Sequence, residues 1–329
     1  MELLDLLDRA LDARLALFDT KHEAALRLFN GFVEGAPELL VDCYARTLVI
    51  TSYADPPMQD IATVAAALAF YRERLPWLRA VLLKRRTSPE AALRNGQLLF
   101  GADLDRRIRE DGVAYAIDLT LNRDAGFYLD TRNLRAWLRQ NMADASVLNA
   151  FAYTGSLGVA ARAGGARSVL HMDLSRAFLN VAKTSYTLNG FAIEKSAFRS
   201  TDFFAETARM RRADTRFDCV ILDPPFFSET AAGRVDLVGE ATRLINKARP
   251  LVADGGCLVV VNNALFLSGA AYSEVLNQLC SDGYMQIEQQ IAVPEDCTGS
   301  PQTIVRPLPA DPAPFNHATK IVVLRLRRK

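Results

Sequence analysis

From Ser146 onward the sequence alternates short, almost wholly apolar runs with helical segments. SVLNAF leads to a helix ending near Ala163, and SVLHMD to a helix ending at Leu188. SAFRS, FDCVILD and CLVVVNN follow, each with its own helical pattern. Strands buried on both faces read as continuous apolar runs, and parallel neighbours need a crossover, usually a helix. The pattern therefore predicts an α/β unit with a parallel sheet covered on both sides. Met285–Ala292 and Lys320–Leu326 read as two more strands with no helix between them, an antiparallel hairpin closing the sheet around the Pro-rich loop Pro294–Pro314.

The front of the chain has a different texture. Leu4, Leu7, Leu11, Leu15 and Phe18 recur at helical spacing, Leu39–Tyr44 and Thr47–Tyr53 read as strands, and a helix is expected from about Met58 to Arg74. Ala80–Lys84 and Val113–Leu119 are further strands. With 329 residues, about two domains are expected, and the change of texture suggests residues 1–124 as a small α/β domain and 125–329 as a larger one.

Charge narrows the function. The net charge is only +1, which excludes a uniformly basic nucleic-acid binder but not a local basic patch. Residues 1–124 carry 16 basic and 19 acidic residues, net −3, and residues 125–329 carry 23 and 19, net +4. The five cysteines lie far apart, without metal-ligand spacing, and suit a reducing, cytoplasmic setting. No metal site is expected, and no apolar run has the length of a membrane helix.

In an open α/β sheet, ligands bind beyond the carboxyl ends of the strands. The first strand ends in Asn149-Ala150-Phe151-Ala152-Tyr153-Thr154-Gly155, a tight turn into a helix that lacks the G-x-G-x-x-G spacing of a pyrophosphate cradle. A nicotinamide dehydrogenase is disfavoured for that reason. The second strand ends in Asp173-Leu174-Ser175, where an acid suits the hydroxyls of a ribose; a helix cap by Asp173 or Ser175 is the competing reading. Asp202-Phe203 offers an acceptor for an adenine amine and an apolar surface for its ring, again against a helix cap. The fourth strand ends in Asp223-Pro224-Pro225-Phe226-Phe227. Two prolines remove two N–H donors and fix an extended bend, leaving acceptors outward and an aromatic ring for a planar group to stack on.

Taken together, these motifs resemble the class I S-adenosylmethionine-dependent methyltransferases. They are most similar to the branch of large-subunit ribosomal RNA methyltransferases that make 5-methylcytosine or 7-methylguanine. Gly126–Leu138 (GFYLDTRNLRAWL) and Val147–Ala166 match that branch's segments, with Thr131 where it usually has Gln. The resemblance implies a Rossmann-like seven-stranded sheet and S-adenosylmethionine as cofactor. Asn149 to Gly155, with Phe151 and Tyr153, would wrap the methionine part; Asp173, Leu174 and Ser175 would hold the ribose; Asp202 and Phe203 would hold the adenine. Asp130 and Arg132 would close the pocket, while Asp223, Pro224, Pro225 and Phe226 would face the methyl group and the acceptor. The branch's leading RNA-binding PUA domain is expected to be absent, which leaves RNA capture to the front unit.

Carbon methylation of cytosine needs a cysteine nucleophile. The position after the fifth strand reads Val261-Asn262-Asn263-Ala264-Leu265; Cys219, Cys257 and Cys280 read as packing residues and Cys43 sits in the front unit, leaving Cys297 as the one with a route to the site. A nitrogen acceptor is therefore favoured, guanine foremost, with Asn262-Asn263 as candidate contacts to a purine edge or as a simple turn cap. The expected partner is RNA, and the resemblance implies ribosomal RNA. A small-molecule or protein-amide acceptor, and a non-catalytic RNA-binding factor, are the competing functions. His171 reads as a core histidine. The clusters Lys84-Arg85-Arg86, Arg209/Arg211/Arg212 and Arg325–Lys329 read as solvated faces or phosphate contacts. The oligomeric state stays open, a homodimer included.

Overall fold

The computed structural model describes residues 2–327. The chain forms two compact units, one comprising the residues up to Leu129 together with Pro294–Leu308, the other Asp130–Val293 and the chain from Pro309. The first crossing falls a little beyond the boundary read at 124/125, and the second unit is not the unbroken stretch expected from 125 onward. Segment 294–308 joins the first unit through contacts remote in sequence. Val305 N–H donates to Val33 O at 2.9 Å, Asn30 Nδ2 to Cys297 O at 2.8 Å, and Arg14 to Asp296 O at 2.9 Å.

In the first unit, β1 (Ala25–Asn30), β2 (Leu39–Tyr44), β3 (Thr47–Ser52), β4 (Ala80–Arg85) and β5 (Gln97–Phe100) form a sheet in that order. Only β3 and β4 are parallel, as their long crossover requires. Helix α1 (Leu3–Asp12) buries Leu6, Leu7, Ala10 and Leu11, ending before Leu15 and Phe18. After the short α2 (Gly31–Glu34), α3 (Ile61–Arg74) buries Val64, Ala67 and Tyr71 on one face, and α4 (Ala91–Asn95) precedes β5. A small ribbon, β6 (Arg107–Glu110) with β7 (Val113–Ala116), completes the unit. Strands β1, β5 and β6 did not stand out in the sequence.

Lys84-Arg85-Arg86 is neither a solvated face nor a phosphate contact. Lys84 is 1% exposed, and its ammonium donates to the carbonyls of Asn95, Asn122 and Asp124. Burial pushes its pKa down to about 8. Arg85 pairs with the buried Asp60 at 3.1 Å, and Arg86 pairs with Asp124.

The second unit begins with α5 (Arg132–Asn141) and carries a seven-stranded sheet. Its strands are β8 (Ser146–Ala150), β9 (Ser168–Asp173), β10 (Phe198–Ser200), β11 (Phe217–Leu222), β14 (Val252–Asn262), β15 (Met285–Ile291) and β16 (Lys320–Leu326). Between β11 and β14 lies a separate hairpin, β12 (Phe227–Thr230) and β13 (Gly233–Asp236). The order in the sheet is β10-β9-β8-β11-β14-β16-β15, with β16 antiparallel to both neighbours and the other pairs parallel. The closing hairpin is thus as expected, except that the connection also holds the short helix α11 (Glu295–Thr298). Helices α6 (Ser156–Ala163), α7 (Arg176–Leu188), α8 (Phe203–Arg212), α9 (Ala241–Ala248) and α10 (Gly269–Cys280) make the connections. Strand order reverses between β8 and β11, so the loops leaving these two strands open a crevice at the carboxyl edge.

Arg209 pairs with Glu206 at 2.6 Å and Arg325 with Glu288 at 2.7 Å. Arg328 and Lys329 of the tail cluster lie outside the described residues. No helix among the described residues is long and apolar enough to cross a membrane.

Candidate active site

The floor of the crevice is set by β8 and β9. Asn149 is 1% exposed, and its amide turns inward, 3.4 Å from His171 Nδ1, with its Oδ1 unpartnered. It is therefore not presented to the crevice. His171 is fully buried, stacks on Phe198 and lies 3.1 Å from the Tyr186 hydroxyl. Burial pushes its pKa down to about 3. The folded state thus refuses a proton that the unfolded chain accepts near pH 6.5, so stability present above that pH is lost as pH falls toward 3. The expected slope is about 1.4 kcal/mol per pH unit. Denaturant titrations between roughly pH 6 and pH 4 should show His171→Gln lowering proton uptake on unfolding by about one; an unchanged slope would refute the neutral histidine.

The loop after β8 is held in an unusual conformation. Phe151, Tyr153 and Gly155 have φ of 55°, 51° and 80°. Two non-glycine residues in the left-handed region persist only where surroundings over-determine them. Asp173 supplies much of that determination: its Oδ2 accepts from Tyr153 N–H and its Oδ1 from Ser175 N–H, both at 2.8 Å. Burial raises its pKa, against the lowering effect of the N–H groups it accepts from. Ser175 caps α7 by accepting from Phe178 N–H. Asp173 thus clamps two loops while lining the adjoining cleft, and the N–H groups of Tyr153, Leu174 and Ser175 do not exhaust the lone pairs of its carboxylate.

Beside it, Phe151 and Phe203 pair at 4.7 Å between ring centroids, and they line a cleft with Asp173, the exposed Leu174, Asp202 and Thr230. Asp202 is the N-cap of α8: its Oδ1 accepts from Phe204 and Ala205 N–H, and its Oδ2 accepts from Thr230 Oγ1 at 2.7 Å. Of the two readings of Asp202, the cap is directly visible.

Across the switch point, Asp223 ends β11. No side chain or N–H among the described residues donates to its carboxylate. Loss of hydration, then the charge of Asp130, pushes its pKa up to about 7. Asp130 in turn accepts from Thr319 Oγ1 at 2.7 Å, and Arg132 opens α5 two residues on. Pro224 is buried and Pro225 exposed. Phe226 and Phe227 are 49% and 53% exposed as the chain enters the β12–β13 hairpin.

Three supports were not legible in the sequence. Thr319 and Thr230 hold the two acids just described. Lys320, fully buried at the start of β16, donates to the carbonyls of Ala264 and Ala318 and ties two rim loops together. A lysine opening the apolar run KIVVLRL was the available signal. Asn262 is a turn cap: it donates to Leu237 O and accepts from Ala264 N–H, while Asn263 is exposed. Cys219 and Cys257 are buried on neighbouring strands. Cys297 is buried and belongs to the first unit. Among the described residues, no three His, Cys, Asp or Glu side chains are grouped to hold a metal ion.

The family profile described as S-adenosylmethionine-dependent methyltransferase matches residues 27–277. The chain belongs to this methyltransferase family. The methyltransferase is 30% identical over 268 residues to a Bacillus subtilis protein assigned as a ribosomal RNA large subunit methyltransferase, covering 78% of this chain and 65% of that one. It is 28% identical over 241 residues to ribosomal RNA large subunit methyltransferase I of Alteromonas mediterranea, covering 69% of this chain and 57% of that one. The methyltransferase thus spans under two thirds of both relatives. Its fold matches a crystal structure assigned as a methyltransferase and complexed with SAH, with a TM-score of 0.83 at 20% identity, over 98% of this chain and 81% of that one.

Proposed function

We propose that this chain transfers a methyl group from S-adenosylmethionine to a nitrogen of an RNA base, with ribosomal RNA as the substrate and guanine as the favoured base. The observation that carries the reading is Asp223: a carboxylate withdrawn from water, given no donor by the protein, and followed by two prolines and an exposed aromatic ring. Such an acceptor suits a planar group that brings its own N–H.

The crevice fits the cofactor. The clamped Phe151–Gly155 turn suits the methionine part, the remaining lone pairs of Asp173 suit a ribose, and the Phe151, Leu174 and Phe203 surfaces suit an adenine. Asp130 and Arg132 flank the approach to Asp223. S-adenosylmethionine supplies an electrophilic sulfonium methyl when bound. Asp223 and the Pro224 carbonyl accept from the amine of the base and hold its nitrogen in line, which is most of what such a displacement asks of a protein. Phe226 stacks on the ring. As the N–C bond would form and the sulfonium S–CH3 bond break, leaving a neutral thioether, the surplus proton on nitrogen would pass to the Asp223 carboxylate. Among the described residues that line this cleft none is a cysteine, which supports nitrogen over carbon methylation. Because the ring is held by stacking and acceptors, an exocyclic amine is the acceptor that best uses Asp223.

Two measurements test this. Asp173→Ala should weaken cofactor binding about a hundredfold by calorimetry, roughly 2.7 kcal/mol, since it removes the ribose acceptor and releases the loop. Wild-type affinity in that variant would refute the assignment. Labelled S-adenosylmethionine and unmodified ribosomal RNA should then yield a methylated guanine nucleoside on digestion. Label in a metabolite or protein and in no nucleoside would refute the RNA reading.

A further inference from the structure

The first unit contains a second concave site, unrelated to the crevice of the other unit. It lies at the end of the five-stranded sheet where the β2–β3 turn, the start of β4, the loop before β1 and strand β6 converge. About 600 Å³ of space, counted out to solvent, is lined by Lys21, His22, Arg46, Arg79, Arg107 and Arg109. All five cationic side chains are exposed. Such a concentration stands out in a stretch, residues 1–124, whose net charge is −3.

Two acids share this site, and both are engaged. Glu23 pairs with Arg109 at 3.4 Å. Asp105 accepts from Arg46 N–H and Thr47 Oγ1 and lies 3.7 Å from Arg79. That leaves three cations without a carboxylate. Among the described residues, the Lys21 and Arg107 side chains make no hydrogen bond or ion pair, and the Arg46 guanidinium reaches the Lys21 carbonyl at 3.5 Å and no carboxylate. The loop presenting Lys21 and His22 is pre-set: the Asp19 carboxylate accepts from the N–H groups of Lys21, Glu23 and Ala24. His22 is held at φ 53°, stacked on Trp77 at 3.9 Å, with a buried Nδ1 that has no partner.

We propose that this cleft binds the phosphate backbone of an RNA strand, with Lys21, Arg46 and Arg107 as the phosphate contacts and His22 as a further polar contact. Exposed cations drawn from three chain segments suit successive charges of a polyanion, whereas a small anion is usually enclosed by buried donors. The assignment rests on the RNA reading above and adds a place where the strand is held.

The test is fluorescence anisotropy with a labelled single-stranded RNA of about 12 nucleotides, comparing the full chain with its Lys21→Glu/Arg107→Glu variant. Both side chains are exposed and make no hydrogen bond or ion pair among the described residues, so the thermal midpoint and S-adenosylmethionine binding should stay unchanged. RNA affinity should fall about tenfold or more near 0.1 M salt, and the slope of log affinity against log salt should fall by about 1.4, the value for two lost single-strand phosphate contacts. RNA bound equally by both proteins overturns this cleft and leaves the RNA reading intact. Wild type that binds no RNA overturns both. Displacement of the RNA by polyglutamate of equal charge as readily as by unlabelled RNA also overturns it, in favour of an acidic protein.

Discussion

Asp223→Asn should lower methyl transfer by about a hundred- to ten-thousandfold, the range for loss of a positioned proton acceptor, and should stabilise the fold at neutral pH. Both effects follow from one carboxylate. Its folded pKa of about 7 lies above the ordinary value of 3.8, through burial and then Asp130. The folded state therefore keeps a proton that the unfolded chain releases. The stability this confers is complete below about pH 4 and is lost as pH rises to about 7, with a ceiling of about 4 kcal/mol. The open part of the Asp223 surface lowers that figure. Asparagine keeps the shape and carries no charge, so its advantage should vanish near pH 4 and be full at about pH 8. Activity runs the other way. If the ionised form accepts the proton, kcat/KM of the wild type should rise about tenfold per pH unit up to about 7 and then level. The Asn variant should lack that limb. A variant with the same pH profile would place the titrating group elsewhere; one no more stable at pH 8 would contradict the buried, unpaired carboxylate.

Gly155→Ala should cost about 3–4 kcal/mol, enough to unfold a large fraction of a marginally stable domain. Two independent costs combine. Gly155 has φ +80°, where an L side chain costs about 1–2 kcal/mol. A Cβ there would also stand 2.4 Å from the Ala182 Cβ on α7, and overpacking of that kind typically costs about 1–3 kcal/mol. The costs can be separated. Ala182→Gly alone should cost about 1 kcal/mol as a glycine in a helix interior. Combined with Gly155→Ala it should recover the clash but not the backbone strain. Denaturant unfolding of the four proteins should give a favourable coupling of at least about 1 kcal/mol. Strict additivity would mean that the helix yields and that the close approach is not what demands glycine.

The second unit was legible because the central strands of its sheet are closed, apolar phrases. Runs such as FDCVILD admit few alternatives, and a topology of parallel strands then fixes which loops meet. Asp173 and Asp223 followed from that geometry. What stayed hidden depends on partners far along the chain. Asp202 reads in the sequence as cap or ligand, and its bond to Thr230 was hidden because the β12–β13 hairpin carries no apolar alternation strong enough to announce itself. Asn149 reads in the sequence as the strand end that opens the cofactor loop, yet the pleat turns its amide inward to His171. Lys84 sits beside two arginines in the sequence, but β4 is central enough that its stem is buried and three carbonyls converge on its ammonium. Edge strands β1 and β5 were missed because each draws its pattern from one neighbour only.

The return of Pro294–Leu308 to the first unit bears on how the chain is made. Synthesis delivers α1 and β1 first, but Asp296, which accepts from Arg27 N–H and whose carbonyl takes the Arg14 guanidinium, comes 269 residues after the one and 282 after the other. Val33 likewise waits for Val305. On the ribosome, the front unit must therefore persist unfinished while almost the whole sheet of the other unit emerges. A fragment ending at Leu129 would retain the Arg14–Glu34 pair but lose the strap that covers it, so its cations and its cleft are best studied in the intact chain.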